Sequence, residues 1–254
     1  MAAEKGVKGI LYGVHPVEEA LRSGARSVGA LYLAEGVRGG RLREIEDLAR
    51  TRGLKVRRVD VRTLDRMVGG AVHQGVVVEA GARPTLDLDE VLADLADQDE
   101  AIVVVLDGVQ DPHNLGAVVR NAALAGAAAV LIPKDRAAGV TPVVQKVAAG
   151  GLEHVKVVRA GNIAQALRRL KEEGFWIYGA AGEAGAEDLY RVRFAGRAVL
   201  VLGEEHEGLR RLTRELCDGL VRIPSTGVID SFNLGTASGI ILARIFSERQ
   251  HRSA

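Results

Sequence analysis

From residue 101 onward, short unbroken runs of Val, Ile and Leu alternate with segments of helical spacing, and this alternation narrows the possible folds most. Strands are expected at 102–106, 129–132, 155–158, 175–179, 198–202 and 220–223. Helix signals lie between them. Thr141 is a cap followed by Pro142 at the first helical position. Asn162 starts a helix that Gly174 ends. Continuous apolar strands separated by helices predict an α/β fold, a parallel sheet covered by helices on both faces. Ligands of such sheets bind beyond the carboxyl ends of the strands. Aromatic residues are only 4% of the chain, so the core is expected to be aliphatic.

The front of the chain reads as a smaller α/β domain. Strands are expected at 28–33 and 75–79, with a helix over 41–52 that sets Leu42, Ile45, Leu48 and Ala49 on one side. Gly81 and Pro84 then break the pattern, and T-L-D-L-D-E-V-L-A-D-L-A-D-Q-D-E is acidic. The expected organisation is a first domain over 1–80, a linker and short lead-in helix over 81–100, and a second domain over 101–254.

Charge divides in the same way. Residues 1–83 carry 15 Lys and Arg against 10 Asp and Glu, while the remainder carries 19 against 23. A basic front half suits a polyanion, although a solvated surface explains the same excess. Cys217 is the single cysteine, so no intrachain disulfide forms, and its spacing from Leu209 and Leu212 predicts a buried thiol on the apolar side of a helix. The six histidines do not pair at metal-ligand spacing, and no metal is expected. The first residues lack the apolar core of a signal peptide, and no apolar run approaches the ~20 residues of a membrane span, which predicts a cytoplasmic protein.

Three segments, each directly after an expected strand, carry the chemistry. G-E-E-H-E-G-L at 203–209 turns from strand to helix, and glycine there permits close backbone approach to a ligand. Taken alone it is also an ordinary turn. It is not a nucleotide-phosphate loop, because neither G-x-x-x-x-G-K-[ST] nor a well-placed G-x-G-x-x-G occurs and Glu204 and Glu205 would repel a phosphate. I-P-S-T-G-V-I-D-S-F-N-L-G-T-A at 223–237 passes from strand to helix, with Ser231 and Asn233 as helix caps or as polar groups near a reacting centre. In D-P-H-N-L-G-A-V-V-R-N-A at 111–122, Asn114 is expected to cap a helix whose core stripe is Leu115, Val118, Val119 and Ala122. Arg120 then points away from that stripe, with Gly116 leaving open space beside it one turn earlier. It is either a solvated surface residue or a planar donor for a phosphate.

In order, separation and strand context, the three segments resemble the motifs of the SpoU (TrmH-like) RNA ribose 2'-O-methyltransferases, and the resemblance covers about residues 101–249. Y-G-V-H-P-V-E-E-A-L at 12–21 and H-Q-G-V at 73–76 are similar to the substrate-binding domain of the RlmB-type members, which methylate guanosine in 23S rRNA. That domain resembles ribosomal proteins that bind kinked RNA. The resemblance implies a C-terminal trefoil knot, a homodimer and S-adenosylmethionine held bent by backbone groups. It implies cofactor contacts at Gly203, Ile223 and Phe232. It places Asn114, Arg120, Glu205, Ser231 and Asn233 around the reacting ribose, Glu205 orienting a neighbouring polar group.

The family usually reads S-L-N-V-S where this chain has S-F-N-L-G at 231–235, so Phe232 is larger than the usual residue and Gly235 lacks a hydroxyl. Arg120 has been viewed as the base in this family, but a pKa above ~12 makes that costly. Gripping a phosphate and stabilising the developing alkoxide suit it better, with water or the phosphate itself as base. Other readings are a tRNA ribose methylase of the same family, opposed by the RlmB-like front domain, and an inactive RNA-binding paralogue, opposed by the complete polar set. A nicotinamide-dependent oxidoreductase is opposed by the missing glycine fingerprint.

Overall fold

Apolar runs long enough to cross a sheet, separated by capped amphipathic segments, fold into two units, Met1–Pro84 and Thr85–Ala254. The computed structural model describes residues 8–24, 26–36, 39–81, 86–135, 137–183, 185–204, 207–228 and 231–252. The expected linker near 80–85 falls mostly on 82–85, outside the described residues.

The first unit runs β1 (Lys8–Tyr12), α1 (Val14–Ser23), β2 (Val28–Ala34), α2 (Gly40–Thr51), β3 (Val56–Val59), α3 (Val61–Met67) and β4 (Val76–Gly81). Its sheet has the order β1-β4-β2-β3, with β4 antiparallel to both neighbours and β2 parallel to β3. Val17 and Leu21 of α1 and Leu42, Ile45 and Ala49 of α2 bury one face against Leu31, Leu33, Val76 and Val78. Leu64 of α3 covers the other face beside Ala34 and Val77. The H-Q-G-V run at 73–76 is a local joint: Gly75 N–H donates to His73 Nδ1 at 3.0 Å, and Gln74, at φ 53°, accepts from Val14 N–H through Oε1 at 2.9 Å. That side chain supplies α1 with the cap its own Gly13 cannot.

The second unit continues with α4 (Leu88–Asp94), β5 (Ala101–Asp107), α5 (Pro112–Leu124), β6 (Ala129–Pro133), α6 (Pro142–Val147), β7 (Lys156–Ala160), α7 (Ile163–Glu172), β8 (Trp176–Ala180), β9 (Glu187–Asp188), β10 (Arg197–Gly203), α8 (Arg211–Glu215), β11 (Gly219–Arg222) and α9 (Leu234–Arg252). All pairings in its seven-stranded sheet are parallel, in the order β7-β6-β5-β10-β8-β11-β9. Every residue of β5 is buried because both faces are covered. Leu115, Val118 and Val119 of α5 and Ile241, Leu242 and Ile245 of α9 pack on Ile102, Val104 and Leu106. Val91 and Leu92 of α4 and Leu167 and Leu170 of α7 pack on Val103 and Val105 from the other side. None of the described helices is long and apolar enough to cross a membrane.

Every strand expected beyond residue 101 is present within two residues of its expected ends. Thr141 and Asn162 cap α6 and α7 as their sequence positions predict, accepting from the backbone of Val144 and Gln165. Asn114 does not cap α5. Asp111 does, accepting from His113 N–H at 2.9 Å, and Pro112 takes the first helical position. An Asp directly before a Pro supplies both the cap and the fixed φ, so the helix starts there and draws Asn114 into its first turn. The two-residue β9 and the four-residue β3 are too short to show a period, and β1, K-G-I-L-Y, neither alternates nor forms an apolar run along its length.

Candidate functional site

Strands β8, β10 and β11 end beside one another, and the chain after each of them walls a cavity of about 690 Å³. Gly203, Ile223, Ser231 and Phe232 line it, together with Leu209 and Leu234. Four of the eight residues singled out from the sequence therefore meet in one cavity. Asn114, Arg120 and Asn233 do not line it. Glu205 lies outside the described residues.

The segment after β10 is a closed loop. Glu204 N–H donates to Gly208 C=O at 3.0 Å, and Gly208 N–H returns a bond to Glu204 C=O at 2.9 Å. A Cβ on Gly203 would sit 2.1 Å from the Gly208 oxygen. The glycine at 203 is thus demanded by its own loop folding back over it, which revises the expectation of close approach to a ligand alone. Gly203 has no positive φ, whereas Gly208 sits at φ 67°.

Arg210, just past this loop, ties it to the end of β5. Its N–H donates to Asp107 Oδ2 at 3.0 Å, and its guanidinium lies 3.8 Å from both the Asp107 and Glu204 carboxylates. Asp107 is 1% exposed. Gly108, at φ 101°, leaves room for these groups, since a Cβ there would meet Glu204 Oε1 at 2.4 Å. Glu204 is therefore committed to Arg210.

The segment after β11 enters α9 through Asn233. Its Oδ1 accepts from Gly235 N–H at 2.9 Å and Thr236 N–H at 3.3 Å, so it is the cap the sequence predicts. Its Nδ2 donates to Asn114 Oδ1 at 3.0 Å. Two of the expected site residues, distant in sequence, are thus joined directly. Farther along the same pair of helices, Asn121 Nδ2 donates to Gly235 C=O at 2.8 Å and Ser238 Oγ at 2.9 Å. Asn121 was missed by sequence reasoning, although Asn114, Ala117 and Asn121 fall three and four residues apart, on one helical face. Gly235 packs on the middle of that face: a Cβ would lie 2.8 Å from Ala117 Cβ. The missing hydroxyl at 235 therefore accompanies a close helix–helix approach.

Arg120 is exposed, as its helical position predicts, and its side chain has no hydrogen bond or ion pair among the described residues. The open space expected at Gly116 is not there. A Cβ on Gly116 would meet Val147 Cβ at 2.6 Å, because α6 packs against it, and Gly116 is buried. The residue that lies close to Arg120 is Gly151, whose Cβ would be 3.1 Å from Arg120 Cα. Arg120 thus has a crowded backbone and a guanidinium without a partner among the described residues.

Cys217 follows α8, half-buried, and donates from Sγ to Thr213 C=O at 3.3 Å. Burial, then the neighbouring Asp218 carboxylate, pushes its pKa up to about 11. Its packing against Gly179 is structural: a Cβ there would come within 2.8 Å of Sγ. Among the described residues no cluster of His, Cys, Asp and Glu could hold a metal ion.

The cavity is wide enough for a nucleoside-sized ligand, within the ~300–1,000 Å³ typical of small-molecule sites. Its charged lining is Glu183, Glu204 and Glu207 against Arg214 and Arg222. That excess of carboxylates disfavours a phosphate and is compatible with a cationic sulfonium. With a parallel sheet, a cavity at its carboxyl edge and an amide bridge joining two helices beside it, the chain has the build of a nucleoside-binding α/β enzyme. The chain belongs to the SpoU rRNA Methylase family, whose profile matches residues 101–243, and residues 10–85 match the RNA 2'-O ribose methyltransferase substrate binding family. It is 46% identical to the 23S rRNA (guanosine-2'-O-)-methyltransferase RlmB of Xanthomonas campestris pv. campestris, over 94% of this chain and 96% of that protein. It is 41% identical to the protein of the same description from Vibrio vulnificus, over 94% and 96%. Among solved structures it is similar in fold to the SpoU methyltransferase AviRb of Streptomyces viridochromogenes in complex with AdoMet. The TM-score there is 0.77, with 24% identity over 97% of this chain and 92% of that one.

Proposed function

We propose that this protein methylates the ribose 2'-hydroxyl of a guanosine in 23S rRNA, using S-adenosylmethionine. The observation that carries the reading is the 46% identity, across nearly the whole of both chains, to a relative described by that activity. The cavity and its lining fit the cofactor class independently.

Bound there, the cofactor supplies an electrophilic methyl group on a sulfonium. The main chain around Gly203 and Ile223, with Phe232, holds it. Phe232 remains 42% exposed, so its ring forms an edge of the cavity rather than a plug. Asn233, fixed by its cap bonds and by Asn114, presents a rigid amide beside α5. Arg120 offers N–H groups to the phosphate next to the reacting ribose and stabilises the alkoxide as the hydroxyl proton leaves to water or phosphate. Ser231 and Glu205 orient polar groups of the nucleotide. Much of the rate comes from this alignment, since well-positioned reactants gain roughly 7–11 kcal/mol.

The front unit reads the RNA. Its match to the substrate-binding family and its excess of basic residues support that role. The enzyme works as a cytoplasmic homodimer with a trefoil knot around the cofactor loops. The crossing of the chain supports the knot, with β10 set between β5 and β8 and β11 between β8 and β9.

The test is incubation with labelled S-adenosylmethionine and either unmodified 23S rRNA or tRNA, followed by mapping of 2'-O-methyl positions. Label at one guanosine of the rRNA is expected. Label in tRNA alone would replace the substrate, and label in neither would leave a binding protein without transferase activity.

A further inference from the structure

One ion pair between two lining side chains stands on the wall of the cavity. Glu183 follows the end of β8, and Arg214 stands on α8. Arg214 Nη1 donates to Glu183 Oε2 at 2.7 Å, and Nη2 lies 2.5 Å from Oε1. Both side chains stay substantially open, at 48% and 39% exposure, and both line the cavity. An ion pair this exposed adds little to stability. It does hold a guanidinium and a carboxylate side by side at the cavity wall, joined by one hydrogen bond. Of the other charged groups of the lining, two are engaged elsewhere and one lies on the exposed rim. Glu204 faces Arg210, Arg222 donates from Nε to Ala186 C=O at 3.2 Å, and Glu207 lies on the exposed part of its loop.

We propose that the Glu183–Arg214 pair seats the zwitterionic amino-acid end of the cofactor. A guanidinium has five N–H donors, and those not turned to Glu183 meet the ligand carboxylate. Glu183 Oε1 is buried, and the second lone pair of Oε2 takes the ligand ammonium. Four charges of alternating sign then close a ring, so neither end of the zwitterion enters the cavity without a partner. The remaining wall, with the apolar side chains of Leu202, Leu209, Ile223, Leu234 and Ile241, is left to the adenosine. The assignment rests on the reading of the cavity as the cofactor site.

Two ligands separate this role from simple cavity shaping. S-adenosylhomocysteine carries the amino-acid end, and 5'-methylthioadenosine lacks it while keeping the adenosine and a thioether. Calorimetric titration of the full-length protein should give S-adenosylhomocysteine an affinity about 10- to 100-fold above that of methylthioadenosine, the range for hydrogen bonds to charged groups. Arg214→Met should bring the first ligand close to the second and leave the second unchanged. Glu183→Gln, nearly isosteric and the safeguard should Arg214→Met fail to fold, should weaken only S-adenosylhomocysteine, about tenfold. Decarboxylated S-adenosylmethionine should be insensitive to Arg214→Met. Variants that keep the wild-type ratio overturn the proposal, as do equal losses for both ligands, which assign the pair a structural role. A wild-type protein that binds neither ligand overturns the cofactor reading and this proposal with it.

Discussion

Arg120 is the side chain whose position speaks most directly about its task. An exposed guanidinium without a partner among the described residues, on a helix whose opposite face is fully buried, is costly to keep still and is available to an anion. Arg120→Ala should cut methyl transfer by about 10²–10³, as loss of one transition-state donor does, and leave S-adenosylmethionine affinity within a fewfold. Calorimetry beside single-turnover kinetics checks this, and loss of cofactor binding with turnover of residual complex intact would reverse the assignment. Gly203→Val should act the other way. The new side chain has no room beneath the Gly208 carbonyl, so the loop must open, at a cost of about 1–3 kcal/mol as for other overpacked sites. A lowered melting temperature with lost cofactor binding is expected, and a folded variant that binds normally refutes it. Cys217 belongs to stability rather than chemistry. With its pKa raised to about 11, the thiol stays protonated through neutral pH, so its alkylation should be slow in the native protein and fast after unfolding. The unfolded chain loses this proton near pH 9 and the folded one only near 11, so the contribution is complete below pH 9 and fades as pH rises toward 11. Urea unfolding of wild type and Cys217→Ala at pH 8 and pH 10.5 should show the stability gap narrowing at the higher pH.

At the scale of elements, the joint between α5 and α9 brings expected site residues together. Asn114 and Asn121 bond to the start of α9 from either side of the Ala117–Gly235 approach. Gly235→Ser restores the hydroxyl common in the family but forces a Cβ to 2.8 Å from Ala117 Cβ. It should destabilise the protein by about 1–3 kcal/mol, and Ala117→Gly should recover part of that loss in the double variant. Additive losses in denaturant titration would show that the two positions do not share the contact. The central strands of the larger sheet were legible because β5, β6 and β10 each carry four or more consecutive apolar residues bounded by turn signals. The start of α5 was misplaced because Asp111 and Asn114 are both capping residues, and the pairing with Pro112 decides between them.

At the scale of the molecule, sequence composition and the two family matches divide the labour. The matched cofactor motifs all lie beyond residue 101, and the second unit has its own two-sided core. Deleting residues 1–83 should leave a folded protein that binds S-adenosylmethionine yet binds its rRNA fragment weakly and with a shallower salt slope, because the deleted part carries the basic excess. RNA binding at several salt concentrations, with cofactor titration on the same sample, measures both halves of the expectation. Methylation of the same nucleotide at the full-length rate would take the reading role away from the front unit.

Local rules sufficed for the α/β class, the longer strands beyond residue 101, the caps Thr141, Asn162 and Asn233 and the motif segments, because apolar period, capping chemistry and glycine placement act within a few residues. They could not supply the strand order β7-β6-β5-β10-β8-β11-β9, since which parallel strands become neighbours depends on how helices cover both faces of the sheet. The meeting of Gly203, Ile223, Ser231 and Phe232 in one cavity, and the Asn114–Asn233 bond, follow from that order. So does the meaning of two glycines. Gly116 and Gly235 are each small because another helix passes over them, a constraint between distant segments that leaves no periodic trace in the chain, whereas Gly203 is small because its own loop folds back over it.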